Sequence, residues 1–338
     1  MISECVVCGS REYSLEEEWR GFRLAKCKHC GVTFTLNPDY HPEAYDAAYK
    51  GSKGTPVPEE HSYVYVNPAD RLKFEIEAFL VPPPRLTPAE RVALAWIERN
   101  APKGAIVIDC GCGSGRFLRA LKRRGFSGIG VEISPELVDM LNRSGLSTIQ
   151  GKAPDFEWNG EPPFAITFFE VLEHIPQPVG VLKSLRERFP ATSILASVPS
   201  PNRPGLLFKG ERGLSDYPPN HFLRWTPEAL EIAFRRAGYR EVRVILPAPV
   251  GSEMLPGLGQ LVYKLRRKQR RGSSSNVTRV KRERKYSNVR LMTQLKATSA
   301  LWALWLYQRM ADIVGFPKAW FAKRKGASAA SMLVVAKP

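Results

Sequence analysis

The stretch Val107-Ile108-Asp109-Cys110-Gly111-Cys112-Gly113-Ser114-Gly115 decides the fold. It begins as an apolar run and ends in three glycines at alternate positions. Ala105 to Asp109 reads as a strand and Arg116 to Arg124 as a helix, so the glycines occupy the turn between them. Glycines there let the backbone turn sharply and come close to a ligand.

Working outward, Gly128 to Glu132 reads as the next strand, and it ends on a second acid 23 residues after Asp109. A carboxylate at that place can accept both hydroxyls of a ribose. A nicotinamide loop would carry its third glycine one position later, where this chain has Arg116. An acid ahead of the first glycine suits a ligand with a positive amine in place of pyrophosphate. S-adenosylmethionine fits that description.

The alternation continues along the chain. Helices are expected at Thr87 to Arg99, Pro135 to Arg143 (opened by Ser134), Val179 to Arg188 and Thr226 to Ala237. Strands are expected at Leu146 to Gln150, Phe164 to Phe169, Ser193 to Val198, Glu241 to Leu246 and Ser331 to Ala336. Thr87-Pro88-Ala89-Glu90 has the form of a capping box with proline at the first helical position. The expected fold is α/β, a Rossmann-like doubly wound parallel sheet. If the last strand pairs with Glu241 to Leu246, then 247–330 is an insertion between neighbouring strands.

The flanks differ from this core. Cys5-x-x-Cys8 and Cys27-x-x-Cys30 are separated by 18 residues, the spacing of a four-cysteine zinc site. Four thiolates leave no open coordination position, so the metal would be structural. The expected division is a zinc-ribbon module at 1–40, a connector at 41–85 with a short helix at Asp70 to Leu80, a core of 86–246 plus 331–338, and the insertion. Met1 to Ser10 has no basic stretch followed by an apolar one, and the cysteine pattern is not that of a secreted disulfide scaffold. A reducing cytoplasm is therefore expected.

The chain carries a net charge of +17 over 338 residues. The insertion alone holds 18 Lys and Arg against three acids. That concentration points to a polyanionic partner for this one segment. Residues 264–325 combine a basic run with Trp302, Trp305, Trp320 and Phe321, a pattern that suits an anionic membrane surface. A helical lid over the core and an RNA-binding arm are the other readings, RNA being the least favoured.

The stretches at 107–115, 130–136 (GVEISPE), 168–178 (FFEVLEHIPQP), 197–202 (SVPSPN) and 220–230 (NHFLRWTPEAL) come in a set order. Together they resemble class I S-adenosylmethionine-dependent methyltransferases, especially the broad group with an N-terminal zinc ribbon. The resemblance implies that Gly111, Gly113 and Gly115 lie under the methionine end of the cofactor, with Asp109 near its amine. It implies that Glu132 holds the ribose, that Ile133 packs on adenine and that Glu170 faces the methionine side. This chain departs from the pattern in two places. Gly151-Lys152-Ala153 stands where many relatives have an acid for the adenine, and Phe164-Ala165 where many have Phe-Asp.

Two histidines follow carboxyl ends of strands, where such folds bind ligands. His221, with Tyr217 nearby, loosely resembles the Tyr and His pair of sugar C-methyltransferases and is the favoured base. His174 is the second candidate, with a structural or cofactor-shaping role equally open. A divalent ion on Glu170, Glu173 and His174 is a further reading. The expected acceptor is a small or lipid-linked molecule such as a sugar or quinone-like precursor. An RNA methyltransferase and a non-catalytic binding protein are the alternatives.

Overall fold

A computed structural model of the chain describes residues 2–38, 85–210, 212–213, 216–254 and 286–338. The helix expected at Asp70 to Leu80, nearly all of the connector and most of the basic run at 264–290 lie outside these residues.

The N-terminal residues form three strands, β1 (Tyr13–Trp19), β2 (Phe22–Cys27) and β3 (Thr33–Thr35). Arg20 and Gly21 join β1 to β2, both with positive φ (47° and 87°). That backbone matches the twist of a two-residue hairpin. The core then alternates: α1 (Pro88–Asn100), β4 (Ile106–Cys110), α2 (Arg116–Arg123), β5 (Ser127–Glu132), α3 (Pro135–Arg143), β6 (Ser147–Gln150) and β7 (Ala165–Phe169). It continues through α4 (Pro178–Arg188), β8 (Ser193–Pro199), α5 (Pro204–Lys209), β9 (Leu223–Arg224), α6 (Pro227–Arg236) and β10 (Glu241–Ile245). Last come α7 (Tyr286–Arg324) and β11 (Ser331–Lys337).

Local chemistry explains most of these boundaries. Thr87 Oγ1 accepts from the Glu90 amide, and the Glu90 carboxylate accepts from the Thr87 amide, completing the expected capping box. Thr226 caps α6 through the Ala229 amide. Ser134 precedes α3, but its hydroxyl makes no cap bond and donates to the Glu136 carboxylate instead.

The main sheet has the order β10-β11-β8-β7-β4-β5-β6. Strands β4 to β8 are parallel, and β11 runs antiparallel to both β8 and β10. The doubly wound sheet expected from the alternation is present, with a parallel centre and β11 as its antiparallel member. The chain reaches β11 from α7 and lays it between β10 and β8, antiparallel to both, and antiparallel neighbours do not require a crossover connection. The order reverses between β4 and β7, which opens a crevice at the carboxyl edge.

Each face of the sheet has its own core. On one, Leu94, Ile97, Phe117, Leu121 and Leu141 from α1, α2 and α3 pack on Val107, Leu195 and Leu333. On the other, Leu182, Leu230 and Phe234 from α4 and α6 pack on Ile166, Val198 and Val334. That second core also contains Cys5, Val7, Cys30, Val32 and Phe34. The N-terminal strands extend into the core through a hydrogen-bonded pair, β3 with β9, in a second sheet of order β1-β2-β3-β9.

A candidate active site at the carboxyl edge of the sheet

The glycine loop follows β4 directly. Gly111, Gly113 and Gly115 all take positive φ (72°, 52° and 71°), a conformation that side chains rarely adopt. A Cβ on Gly111 would meet Val171 at 2.6 Å, and one on Gly115 would meet Leu141 at 2.7 Å. A Cβ on Gly113 would meet nothing within 4 Å. Two of the glycines are therefore required by packing, while the middle one faces open space at the mouth of the crevice.

Two carboxylates stand near the ends of the neighbouring strands β4 and β5. Asp109 is buried and accepts a 2.6 Å hydrogen bond from Thr167 Oγ1. Burial pushes its carboxyl up to about 7, and the Thr167 bond opposes the shift. Glu132, at the end of β5, accepts from the Gly113 amide through one oxygen and from the Ile133 and Ser134 amides through the other. Those bonds fix the carboxylate beside the loop and leave about one of its four lone-pair sites to accept from a ligand. Glu170 follows β7 directly with φ 58° and accepts from Ser197 Oγ at 2.8 Å. Burial raises its carboxyl above the usual range.

The second half of the crevice is built around His174 and His221, whose rings meet edge-on with centroids 4.7 Å apart. His174 Nδ1 lies 2.6 Å from the Asn220 carbonyl. His221 Nδ1 lies 3.8 Å from Asp216, which Arg203 holds at 2.6 Å. Its Nε2 lies 3.9 Å from Glu173. Burial, then the neighbouring His174, lowers His221 to about 3, and burial lowers His174 as well. Both imidazoles are therefore neutral near pH 7.

Glu173 is fully buried, and neither carboxylate oxygen has a hydrogen-bond partner. Burial, with Glu170 adding repulsion, raises it well above the usual range. Glu173, His174 and His221 each offer a ligand atom, all within 4.8 Å of one another. That donor set suits a divalent cation of intermediate softness. It differs from the set expected from sequence, because Glu170 turns toward Ser197 and His221 takes its place.

Tyr217 is sandwiched between Trp19 of β1, stacked at 4.3 Å, and the Arg224 guanidinium, 4.6 Å over its ring. Arg224 also pairs with Glu17, and Thr226 Oγ1 donates to the Cys30 carbonyl. Glu16, Lys26 and Thr33 of the N-terminal strands join Arg203, His221 and Arg224 in lining a cavity of about 130 Å³. No local sequence signal points to these N-terminal residues reaching the site, because the β3–β9 pair joins positions about 190 residues apart.

The four N-terminal cysteines converge. Cys5 and Cys30 sulfurs are 3.7 Å apart, and those of Cys8 and Cys27 are 3.4 Å apart. Thiolates bound tetrahedrally at about 2.3 Å lie about 3.8 Å from one another, so the cluster fits Zn²⁺. Gly9 and Gly31, each following the second cysteine of a pair, have φ of 77° and 73°. Their amides bond back to the Cys5 and Cys27 carbonyls, closing the two knuckles.

Residues 87–244 match a family described as "Methyltransferase domain". Among curated proteins, the chain is similar to the ubiquinone biosynthesis O-methyltransferase of Xylella fastidiosa (strain 9a5c). The two are 32% identical over 99 residues, 27% of this chain and 40% of that protein. The protein of the same name from Xanthomonas campestris pv. campestris (strain B100) is 30% identical over 149 residues, 38% of this chain and 62% of that one. The chain thus spans roughly half the length of these relatives. Similar solved structures include a SAM-dependent methyltransferase from Archaeoglobus fulgidus, with 15% identity, TM-score 0.41 and coverage of 74% of this chain and 94% of that one. Another is phosphoethanolamine N-methyltransferase 2 of Haemonchus contortus, with 14% identity, TM-score 0.41 and coverage of 79% and 56%.

Proposed function

We propose that residues 87–244, which match a methyltransferase-domain family, work as a class I, S-adenosylmethionine-dependent methyltransferase and that the protein methylates a small or lipid-linked, quinone-like acceptor. The observation that carries this reading is the glycine loop after β4, with the Cβ side of Gly113 open and its amide bonded to the Glu132 carboxylate. In this assignment the three glycines lie under the methionine end of S-adenosylmethionine and Asp109 faces its amine. Glu132 holds the ribose, Ile133 packs on adenine, and Glu170 borders the methionine side. The quinone-like acceptor follows the names of the relatives.

When bound, the cofactor supplies an electrophilic methyl group on a sulfonium. The chain's own task is to hold the acceptor hydroxyl in line with it and to receive its proton. His221, neutral at pH 7, takes that proton, leaving a methyl ether and S-adenosylhomocysteine. Asp216 faces the other ring nitrogen and steadies the imidazolium that forms. His174 packs on His221 and is the alternative base, and Tyr217 supports the wall that receives the acceptor. Zn²⁺ on Cys5, Cys8, Cys27 and Cys30 is structural and anchors the β1–β3 strands that complete this wall.

Isothermal titration of the zinc-loaded protein with S-adenosylhomocysteine, beside Asp109→Ala and His221→Ala, tests the reading. Micromolar binding is expected for the unmutated protein and for His221→Ala, with loss in Asp109→Ala. Only His221→Ala should bind the cofactor product yet fail to methylate a polyprenylated dihydroxybenzene. Absence of binding by the folded, unmutated protein would sink the proposal.

A further inference from the structure

Helix α7 is turned inside out relative to an ordinary surface helix. Ala311, Gly315, Ala319 and Ala322 recur at helical spacing and are buried against the protein. The approach is very close: a Cβ on Gly315 would lie 2.1 Å from the Gly251 carbonyl oxygen. Asp312 holds the same side down, accepting from Arg85 and from the Ser252 amide. The opposite side carries the large apolar residues. Leu306, Met310, Ile313, Val314, Phe316 and Trp320 are exposed, Ile313 by 66% and Phe316 by 63%. A helix that buries its small residues and exposes its large ones derives little of its apolar stabilisation from the core.

The charges beside this face have one sign. Asp312 is the only acid between Tyr286 and Lys325, and it points inward. Lys318, Lys323, Arg324 and Lys325 are all exposed, and the Arg324 and Lys325 cations lie over the Trp320 and Phe321 rings. No described helix is long and apolar enough to cross a membrane. A second copy of the chain would bring like charges together. An RNA strand would use the cations and aromatic rings and leave the aliphatic residues without a role.

We propose that the outward face of α7 lies in the interface of an anionic lipid bilayer, with its aromatic and aliphatic residues among the acyl chains and its cations at the headgroups. The position of the helix gives this docking a consequence. Ser328, just after α7, hydrogen-bonds to Ser200 and to the Asn202 carbonyl in the loop after β8. Arg203 of that loop holds Asp216 beside His221. The lipid face is thus joined to the same carboxyl edge of the sheet as the site, where a lipid-linked acceptor would enter from the bilayer.

The test is flotation of the full-length, zinc-loaded protein with phosphatidylcholine vesicles, with and without phosphatidylglycerol. The unmutated protein is expected to float with the anionic vesicles. The triple variant Ile313→Ser, Phe316→Ser, Trp320→Ser should partition at least about tenfold less. Its melting temperature and S-adenosylhomocysteine affinity should not change, because all three side chains are exposed and remote from the glycine loop. That titration reports on the cofactor site separately from lipid binding, so failure of either proposal is recognised by itself. Three outcomes would overturn the lipid face: no flotation of the unmutated protein, equal flotation of the triple variant, or a dimer that the triple variant dissociates.

Discussion

The two halves of the crevice are assembled in opposite ways. The glycine-loop half uses residues close in sequence: Gly113 and Glu132 are bonded across 19 positions, and the loop runs straight from β4 into α2. The histidine half uses residues far apart: Glu17 meets Arg224, Cys30 meets Thr226, and Trp19 meets Tyr217. The halves also draw on different cores, with Cys112 and Leu118 packed on the α1–α3 side and Phe222 and Trp225 packed with the cysteine module. The glycine-loop half is therefore a local device that the fold supports. The histidine half draws part of its wall from the docked N-terminal strands.

Removing the metal should separate the halves most sharply. A structural zinc site contributes about 10 kcal/mol in small domains. Chelation, or Cys5→Ser, should loosen residues 2–38 and 216–236 in hydrogen exchange before 107–132. Simultaneous loosening of both regions would mean that the two cores melt as one unit. Next in size is Glu132→Ala. It removes a carboxylate that anchors three amides, at roughly 1.5–3 kcal/mol for each charged hydrogen bond lost to the ligand. S-adenosylhomocysteine affinity should fall on the order of a hundredfold in calorimetry, with hydrogen exchange at 216–236 unchanged.

Asp109 offers a finer test through pH. Its carboxyl sits near 7 in the free protein because it is buried. Raising the pH from 6 to 8 ionises it, and the anion favours a cationic amine. Affinity should therefore rise by up to about tenfold over that window and then level off. Asp109→Asn should abolish the slope, and a slope that persists would assign the titration elsewhere. The smallest effect is expected from Trp19→Ala. Its stack on Tyr217 contributes about 1 kcal/mol, so the melting temperature should drop by a few degrees and the acceptor KM should rise, while cofactor affinity stays put. Equal losses in cofactor and acceptor binding would erase the distinction between the halves.

The pattern of what could be read in advance follows the same division. The capping box at Thr87, the glycine loop and the acid ending β5 are local signals, and the structure bears them out because short-range geometry fixed them. The antiparallel course of β11 was not legible, since Ser331 to Lys337 is equally apolar in either direction. Strand β9, two residues long, leaves no periodicity to detect. The ligand set around His174 was misread for a similar reason: Glu170 and Glu173 are near neighbours in sequence, but the turn at Glu170, with φ 58°, sends one toward Ser197 and leaves the other beside His221.

By itself the sequence determined the α/β alternation, the glycine loop with its two acids, the four-cysteine spacing and the concentration of positive charge in one segment. Each of these is written within a few residues, or in repeating intervals that backbone geometry enforces. The tertiary structure alone decided that the cysteine module shares a sheet with the core through β3 and β9. It also decided that His221 rather than Glu170 brings a ligand atom within reach of both Glu173 and His174, and that α7 turns Ala311, Gly315, Ala319 and Ala322 inward and Ile313, Phe316 and Trp320 outward. Those are long-range choices, set by which surfaces find each other when the chain packs, and no local stretch of sequence contains them.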